Sequence, residues 1–326
     1  MSAHDVRWFA PNRFCTLVVP RLEQQGLAIA LDGDRPARLA IAMDAQVVAP
    51  AHAYAARHRC PLIHYLWDLP PWRLGNGRPD WVWCVGGRFL RVPRPVGGYV
   101  ERRGYYSRLH YVALRAREVW VPSAATAHDV RQRFGLNTIE VPYCYDSDRF
   151  QPIPAPEGRP RPTTLLSVSR LVPQKNHAAV IRAAAQFTPK LPVRIVGSGD
   201  ERDALLRLAA ACDVTCTVEG GLSEGAVLDA YRTAAVVVCP SGFEGFGLTP
   251  LEAIACGVPV VASDIPPHRE FLGTAPYYFP PDDDAALVGA IARARAAAPP
   301  SREVLRGLTI EAAARRFFDR LSPLLS

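Results

Sequence analysis

The chain has 326 residues, 49% of them hydrophobic and 21% charged, with a formal net charge of +7. That length suggests about two domains, and the apolar content is enough for their cores, which excludes a disordered chain. No apolar run reaches the roughly 18 residues of a membrane span, and the opening MSAHDVRWFAPNRF lacks the charged-then-apolar pattern of a signal peptide. The expectation is a cytoplasmic protein, soluble or peripheral at the inner membrane face.

Strand-like apolar runs fall at residues 6–9, 28–31, 46–48, 62–66, 119–121, 165–168, 193–196, 214–218, 236–239 and 258–262. Helical patterns lie between many of them, as at 178–187, 204–212 and 226–234. Such alternation predicts α/β architecture, with parallel sheets covered on both faces. Between residues 151 and 162 the pattern breaks on Pro152, Pro154, Pro156, Pro160 and Pro162. Proline at that density excludes helix and central strand and reads as a linker. Two doubly wound domains are therefore expected, with a ligand in the cleft between them, at the carboxyl ends of the strands.

Residues 88–118 carry eight arginines, from Arg88 to Arg117, against Glu101 and Glu118, and five aromatic side chains lie among them. That mixture suits an anionic membrane surface, a nucleic-acid backbone or an ordinary solvated face. The eight cysteines are scattered, with no CxxC and no histidine cluster beside them, so they read as buried free thiols.

Three loops in the second half hold candidate chemistry. After the run 165–168 come Arg170, whose planar fork suits phosphate oxygens, and Lys175, a compact point charge. Lysine is rare here: only Lys175 and Lys190 occur among 38 basic residues. After 193–196 comes a glycine turn with Gly197 and Gly199, short of a full dinucleotide fingerprint. After 236–239 comes PSGFEGFGLTPLEA, with Glu244 and Glu252 eight residues apart. Thr249, Pro250 and Glu252 read as a capping box, with proline at the first helical position. The other reading gives the unpaired N–H groups of that helix start to a phosphate, and Glu252 to a ribose diol. Glu244 then stands at the rim of the same crevice, and the ligand is a nucleotide.

These stretches resemble glycosyltransferase family 4, of GT-B fold. SVSRLVPQKN is similar to the family's G-R-L-x-x-x-K-N, and VGSGDE to its V-G-x-G-P-E. The run from EGGLSEG through FEGFGLTPLEAIACGVPVVASD to HREFLG resembles the family's most diagnostic block almost continuously. The likeness covers residues 117–326 well and the first 110 poorly.

What the resemblance implies is concrete. The fold would be two Rossmann-like domains facing a central cleft: an acceptor domain over 1–150, a donor domain over 151–310, and a final helix over 311–326 packing back on the first domain. The second domain would bind a nucleotide-diphosphate sugar, UDP- or GDP-linked, with Arg170 and Lys175 on the diphosphate and Glu252 on the ribose. Glu244 with the backbone of Gly245, Phe246, Gly247 and Leu248 would contact sugar and phosphates, and the Gly197–Gly199 turn would line the cofactor side. Transfer would retain anomeric configuration and require no metal or other cofactor. The acceptor would be a hydroxyl of a glycan, of a lipid-linked glycan or, as an alternative, of a modified nucleic-acid base. In the first domain, Trp67–Asp68 stands where the family often carries His-Asp, making Asp68 the candidate proton acceptor. The departures there leave a second alternative, a sugar-nucleotide-binding protein without catalysis.

Overall fold

The structure, a computed structural model, describes residues 4–9, 13–43, 47–69, 84–85, 88–89, 113–152 and 163–326. The chain divides into two units, Met1–Tyr143 with Ala313–Ser326, and Cys144–Ala312.

The first unit runs β1 (His4–Phe9), α1 (Arg13–Gln24), β2 (Ile29–Ala30), β3 (Ala37–Ala42), α2 (Val48–His58), β4 (Leu62–Tyr65), an antiparallel pair β5 (Cys84–Val85) and β6 (Arg88–Phe89), β7 (Glu118–Val121), α3 (Ala124–Phe134) and β8 (Ile139–Glu140). Six of the strands form a parallel sheet in the order β2-β1-β3-β4-β7-β8. The pleat sends alternate side chains to opposite faces. Ala40, Ala42, Leu62, Val119 and Val121 join Val48, Ala51 and Tyr54 of α2, and Ala127 and Val130 of α3, in one core. Elsewhere in the unit, Phe317 of the C-terminal helix (Ile310–Leu325) is fully buried. Its ring centroid lies 5.6 Å from Trp8, 5.5 Å from Trp120, 6.0 Å from Tyr65 and 5.3 Å from Phe14. Arg316 fastens the same helix by donating to the carbonyls of Pro142 and Tyr143.

The second unit runs β9 (Leu165–Val168), a 3-10 turn (Pro173–Lys175), α4 (His177–Ala184), β10 (Val193–Val196), α5 (Arg202–Ala211), β11 (Cys216–Glu219), α6 (Glu224–Arg232), β12 (Val236–Cys239), α7 (Leu248–Ala255), β13 (Val260–Ser263), α8 (Pro266–Leu272), β14 (Tyr277–Phe279) and α9 (Asp284–Ala296). Its sheet is parallel throughout, ordered β11-β10-β9-β12-β13-β14. Strand order reverses between β9 and β12, and ligands of such sheets bind beyond the carboxyl ends of the strands at that reversal. The central strands β12 (VVVC) and β13 (VVAS) are buried at every residue, and β12 reads as an unbroken apolar run because both its faces are covered. Ser223 and Asp283 cap α6 and α9 by accepting from the N–H groups of Ala226 and Ala286.

One sequence expectation is overturned. The strand expected over 46–48 fails at its described residues, since Val47 is the N-cap and Val48 opens α2, and the strand is β3, in the sequence ARLAIA. Alanine-rich text carries little β propensity. The segment is a strand because it is hydrogen-bonded between β1 and β4 and buried.

His64 of β4 sits in register between Ala42 and Val119, is wholly buried, and neither ring nitrogen has a hydrogen-bond partner. Burial holds its pKa down to about 3, against an ordinary 6.5. The unfolded chain therefore binds a proton that the folded chain refuses. Stability is constant above pH 6.5, falls by about 1.4 kcal/mol per pH unit below it, and levels off under the folded value. Replacing His64 with Leu removes two unsatisfied polar atoms and that titration. Denaturant unfolding of His64→Leu across pH is expected to show a gain of about 1–3 kcal/mol near neutrality and a shallower acid limb. An unchanged limb would contradict the assignment.

Candidate functional site

Three loops leave the carboxyl ends of β9, β10 and β12, and backbone contacts knit them together. Ser169 N–H donates to Val196 O at 3.0 Å and Leu171 N–H to Ser198 O at 2.9 Å, joining the first loop to the second. Gly242 N–H donates to Gln174 O at 2.9 Å, and the Thr249 hydroxyl to Val168 O at 2.9 Å, joining the first to the third. A Cβ on Gly197 would lie 1.8 Å from Ser169 O, and one on Gly199 2.3 Å from Leu171 O. Both glycines also hold φ between +150° and +160°. Their first job in this fold is to let the second loop touch the backbone of the first.

His177 fixes the first loop from below. Its Nε2 lies 2.9 Å from Ser169 Oγ and 3.3 Å from Arg170 O, and its Nδ1 lies 3.0 Å from Ser167 Oγ. A carbonyl only accepts, so Nε2 carries the proton and Nδ1 accepts from Ser167. Burial, the largest influence, holds this imidazole neutral, with a pKa down at about 4.

Lys175 and Glu244 meet on this frame, with Nζ 2.5 Å from Oε1. The two side chains are 13% and 19% exposed, so the pair is mostly withdrawn from water. Burial pushes the Glu244 pKa up, but Lys175, by its charge and its hydrogen bond, outweighs it with help from His268 and Ser241, leaving the carboxyl below its ordinary value. Glu244 is therefore ionised at neutral pH. Arg170 is exposed, and among the described residues its guanidinium takes no hydrogen bond or ion pair. Close by in sequence, Gly245, Phe246 and Gly247 lead into α7, with Phe246 buried against Phe271 at 4.2 Å between centroids. Gly247 is the N-cap, at φ +94°, with Leu248 as the first helical residue.

That start corrects the capping-box reading. Thr249 stands inside the helix, Pro250 is its third residue, and the Thr249 hydroxyl serves β9 rather than the helix end. Glu252 Oε2 accepts from the Tyr231 hydroxyl at 2.6 Å. Tyr231 is fully buried, and burial together with the Glu252 charge raises its pKa well above 10. It stays protonated and works as a fixed donor.

The structure thus brings Lys175, Glu244, the 245–248 backbone and the Gly197–Gly199 turn into one set of interlocked loops, with Arg170 on the same loop as Lys175. Asp68 belongs to the other unit, half-buried in the loop that follows β4. Most of the arginine-rich segment lies outside the described residues; within them, Arg115 and Arg117 are exposed. Sequence reasoning missed Tyr231 and His268, because each earns its place through a contact with a residue distant in the chain. Among the described residues, no group of three or more His, Cys, Asp or Glu is arranged to hold a metal ion, and no helix is long and apolar enough to cross a membrane.

Residues 150–305 match the family model described as glycosyl transferases group 1. The chain is 33% identical over 170 residues to a phosphatidyl-myo-inositol mannosyltransferase of Mycolicibacterium smegmatis, covering 48% of this chain and 44% of that one. It is 30% identical over 201 residues to a GDP-mannose-dependent alpha-(1-6)-phosphatidylinositol monomannoside mannosyltransferase of the same organism, covering 55% and 49%. A D-inositol 3-phosphate glycosyltransferase of Rhodococcus jostii is 35% identical over 118 residues, or 32% of this chain and 26% of that one. The chain therefore spans a quarter to a half of the length of these curated relatives. In three dimensions it resembles Anabaena HepE, solved with UDP and glucose, at TM-score 0.67 and 16% identity, over 99% of this chain and 97% of that one. It also resembles sucrose-phosphate synthase from Thermosynechococcus elongatus, at TM-score 0.63 and 20% identity, over 89% and 70%. The fold is GT-B.

The loop geometry makes a direct prediction. Gly197→Ala drives a Cβ into the Ser169 carbonyl and is expected to lower unfolding stability by about 3 kcal/mol. Gly225, exposed near the start of α6 with open space around it, is the control. Gly225→Ala is expected to raise stability by about 0.5–1 kcal/mol. Equal effects in thermal denaturation would contradict the close approach.

Proposed function

We propose that the chain is a retaining glycosyltransferase of family 4 type, moving a sugar from a nucleotide-diphosphate donor to a hydroxyl acceptor. The observation that carries the reading is the Lys175–Glu244 pair set at the strand-order reversal beside the start of α7. The family model matched over 150–305 supports it. In this reading Arg170 and Lys175 hold the diphosphate, and the opening amides of α7 add partial positive charge. Glu252, fixed by Tyr231, takes the ribose hydroxyls. Glu244 and the backbone from Gly245 to Leu248 face the sugar. No metal is invoked.

The chemistry follows from charge. The acceptor oxygen forms the new bond to the anomeric carbon as the bond to the diphosphate oxygen breaks. The acceptor proton passes to the departing phosphate on the same face of the sugar, which retains configuration. Negative charge grows on the diphosphate, and preorganised donors aimed at it are worth about 2.7–4 kcal/mol each. In the first unit, Asp68 is proposed to orient the acceptor hydroxyl.

The donor is proposed to be UDP- or GDP-linked. The acceptor is proposed to be a glycan or lipid-linked hydroxyl, in keeping with relatives named for inositol phosphate and phosphatidylinositol substrates. The arginines from Arg88 to Arg117 would then meet an anionic membrane surface.

Arg170 gives the cleanest test, because its guanidinium takes no partner among the described residues. Arg170→Ala is expected to unfold within about 0.5 kcal/mol of the parent while losing about 10²–10³ in kcat. In thermal-shift assays, UDP or GDP at about a hundred times its Kd should add about 2.7 kcal/mol to the parent. If no nucleotide diphosphate shifts the parent protein, the donor site is wrong.

A further inference from the structure

His268 is wholly buried on α8, beside the Lys175–Glu244 pair. Its Nδ1 lies 2.9 Å from Ser263 O, a carbonyl that only accepts, so Nδ1 carries the proton of the neutral ring. Its Nε2 is left as a bare acceptor, buried and without a hydrogen-bond partner. The same ring edge faces the start of α7: a Cβ on Gly247 would lie 3.0 Å from Cδ2 and 3.3 Å from Nε2. A buried unsatisfied acceptor is costly and calls for an explanation.

The charges around the ring supply one. Lys175 and Glu244 are the charged groups that act on it, Lys175 opposing protonation and Glu244 favouring it. Ser263 Oγ, 3.3 Å from Nδ1, is itself spent on the Ser241 carbonyl at 2.6 Å. Tyr278 touches His268 only by donating to its backbone carbonyl, and Arg269 is paired with Asp264. While Lys175 sits on Glu244, the carboxylate is neutralised, and burial keeps the imidazole uncharged. An anion that draws Lys175 away leaves Glu244 withdrawn from water without its cation, a costly state. His268 is then placed to replace it.

We propose that His268 takes up a proton from solvent at Nε2 when an anionic ligand engages Lys175, so that Glu244 exchanges an ammonium partner for an imidazolium. The inference rests on the donor-site reading above and assigns His268 as a positioning residue for Glu244. It also makes donor binding tighter as pH falls, by up to about tenfold per pH unit between the free and bound pKa values.

Isothermal titration calorimetry of the full chain with UDP-glucose and with GDP-mannose tests it, run in buffers of differing ionisation heat at about pH 6.5, the unperturbed histidine value. The diphosphate diesters of these donors do not titrate near neutrality, so proton uptake reports on the protein. Uptake of about half a proton or more is expected for the parent and none for His268→Gln. Histidine nitrogen NMR on the parent, with and without donor, gives the same reading without a variant, as a shift of one buried Nε2 from bare to protonated. Binding without proton uptake, or equal uptake in His268→Gln, overturns the inference alone. Absence of binding by both donors overturns the donor site and the inference together.

Discussion

The ion pair between Lys175 and Glu244 sets the terms for the second unit. Two charges largely out of water are tolerable only in contact, and the pair adds a side-chain link between loops that backbone hydrogen bonds already join. The partners come from β9 and β12, the neighbouring strands at which the sheet reverses order. Their contact is supported by the Gly242–Gln174 backbone bond, the Thr249 hydroxyl on β9, and the His177 clamp under Ser169 and Arg170. The outcome is a basic and acidic pair held close to the opening turn of α7. Preorganisation of that kind is what electrostatic stabilisation of a leaving group requires.

Much of this was legible in the sequence, for physical reasons. The run 236–239 is a buried parallel strand, so its apolar text is unbroken and its bounds match β12. The E-x7-E spacing and the isolated Lys175 marked the loops whose charges pair in the structure, because charges are conspicuous in apolar or arginine-rich surroundings. The capping box failed because one motif, T-P-L-E, fits two helix starts differing by two residues, and the left-handed Gly247 selects the earlier one. β3 escaped notice because alanines in a central strand owe their state to neighbours rather than to propensity. Tyr231 and His268 could not be found from local text. Their meaning depends on Glu252 and Glu244, which lie 21 and 24 positions away in the chain.

The two units differ in how far sequence reveals them. Structural likeness to HepE spans nearly the whole chain at 16% identity, whereas the family model stops at residues 150–305. The likeness in shape therefore reaches the first unit, which the family model does not match. That unit keeps an aromatic cluster around Phe317 and a buried, unpartnered His64, features of packing rather than of a shared site.

The central claim is that the Lys175 and Glu244 loops, with the first turn of α7, form a diphosphate site. A crystal structure of the chain with UDP or GDP bound measures this most directly. The account predicts a phosphate within hydrogen-bond distance of Lys175 Nζ and of the amides at the start of α7. A nucleotide bound elsewhere, with Lys175 turned from its phosphates, would contradict it.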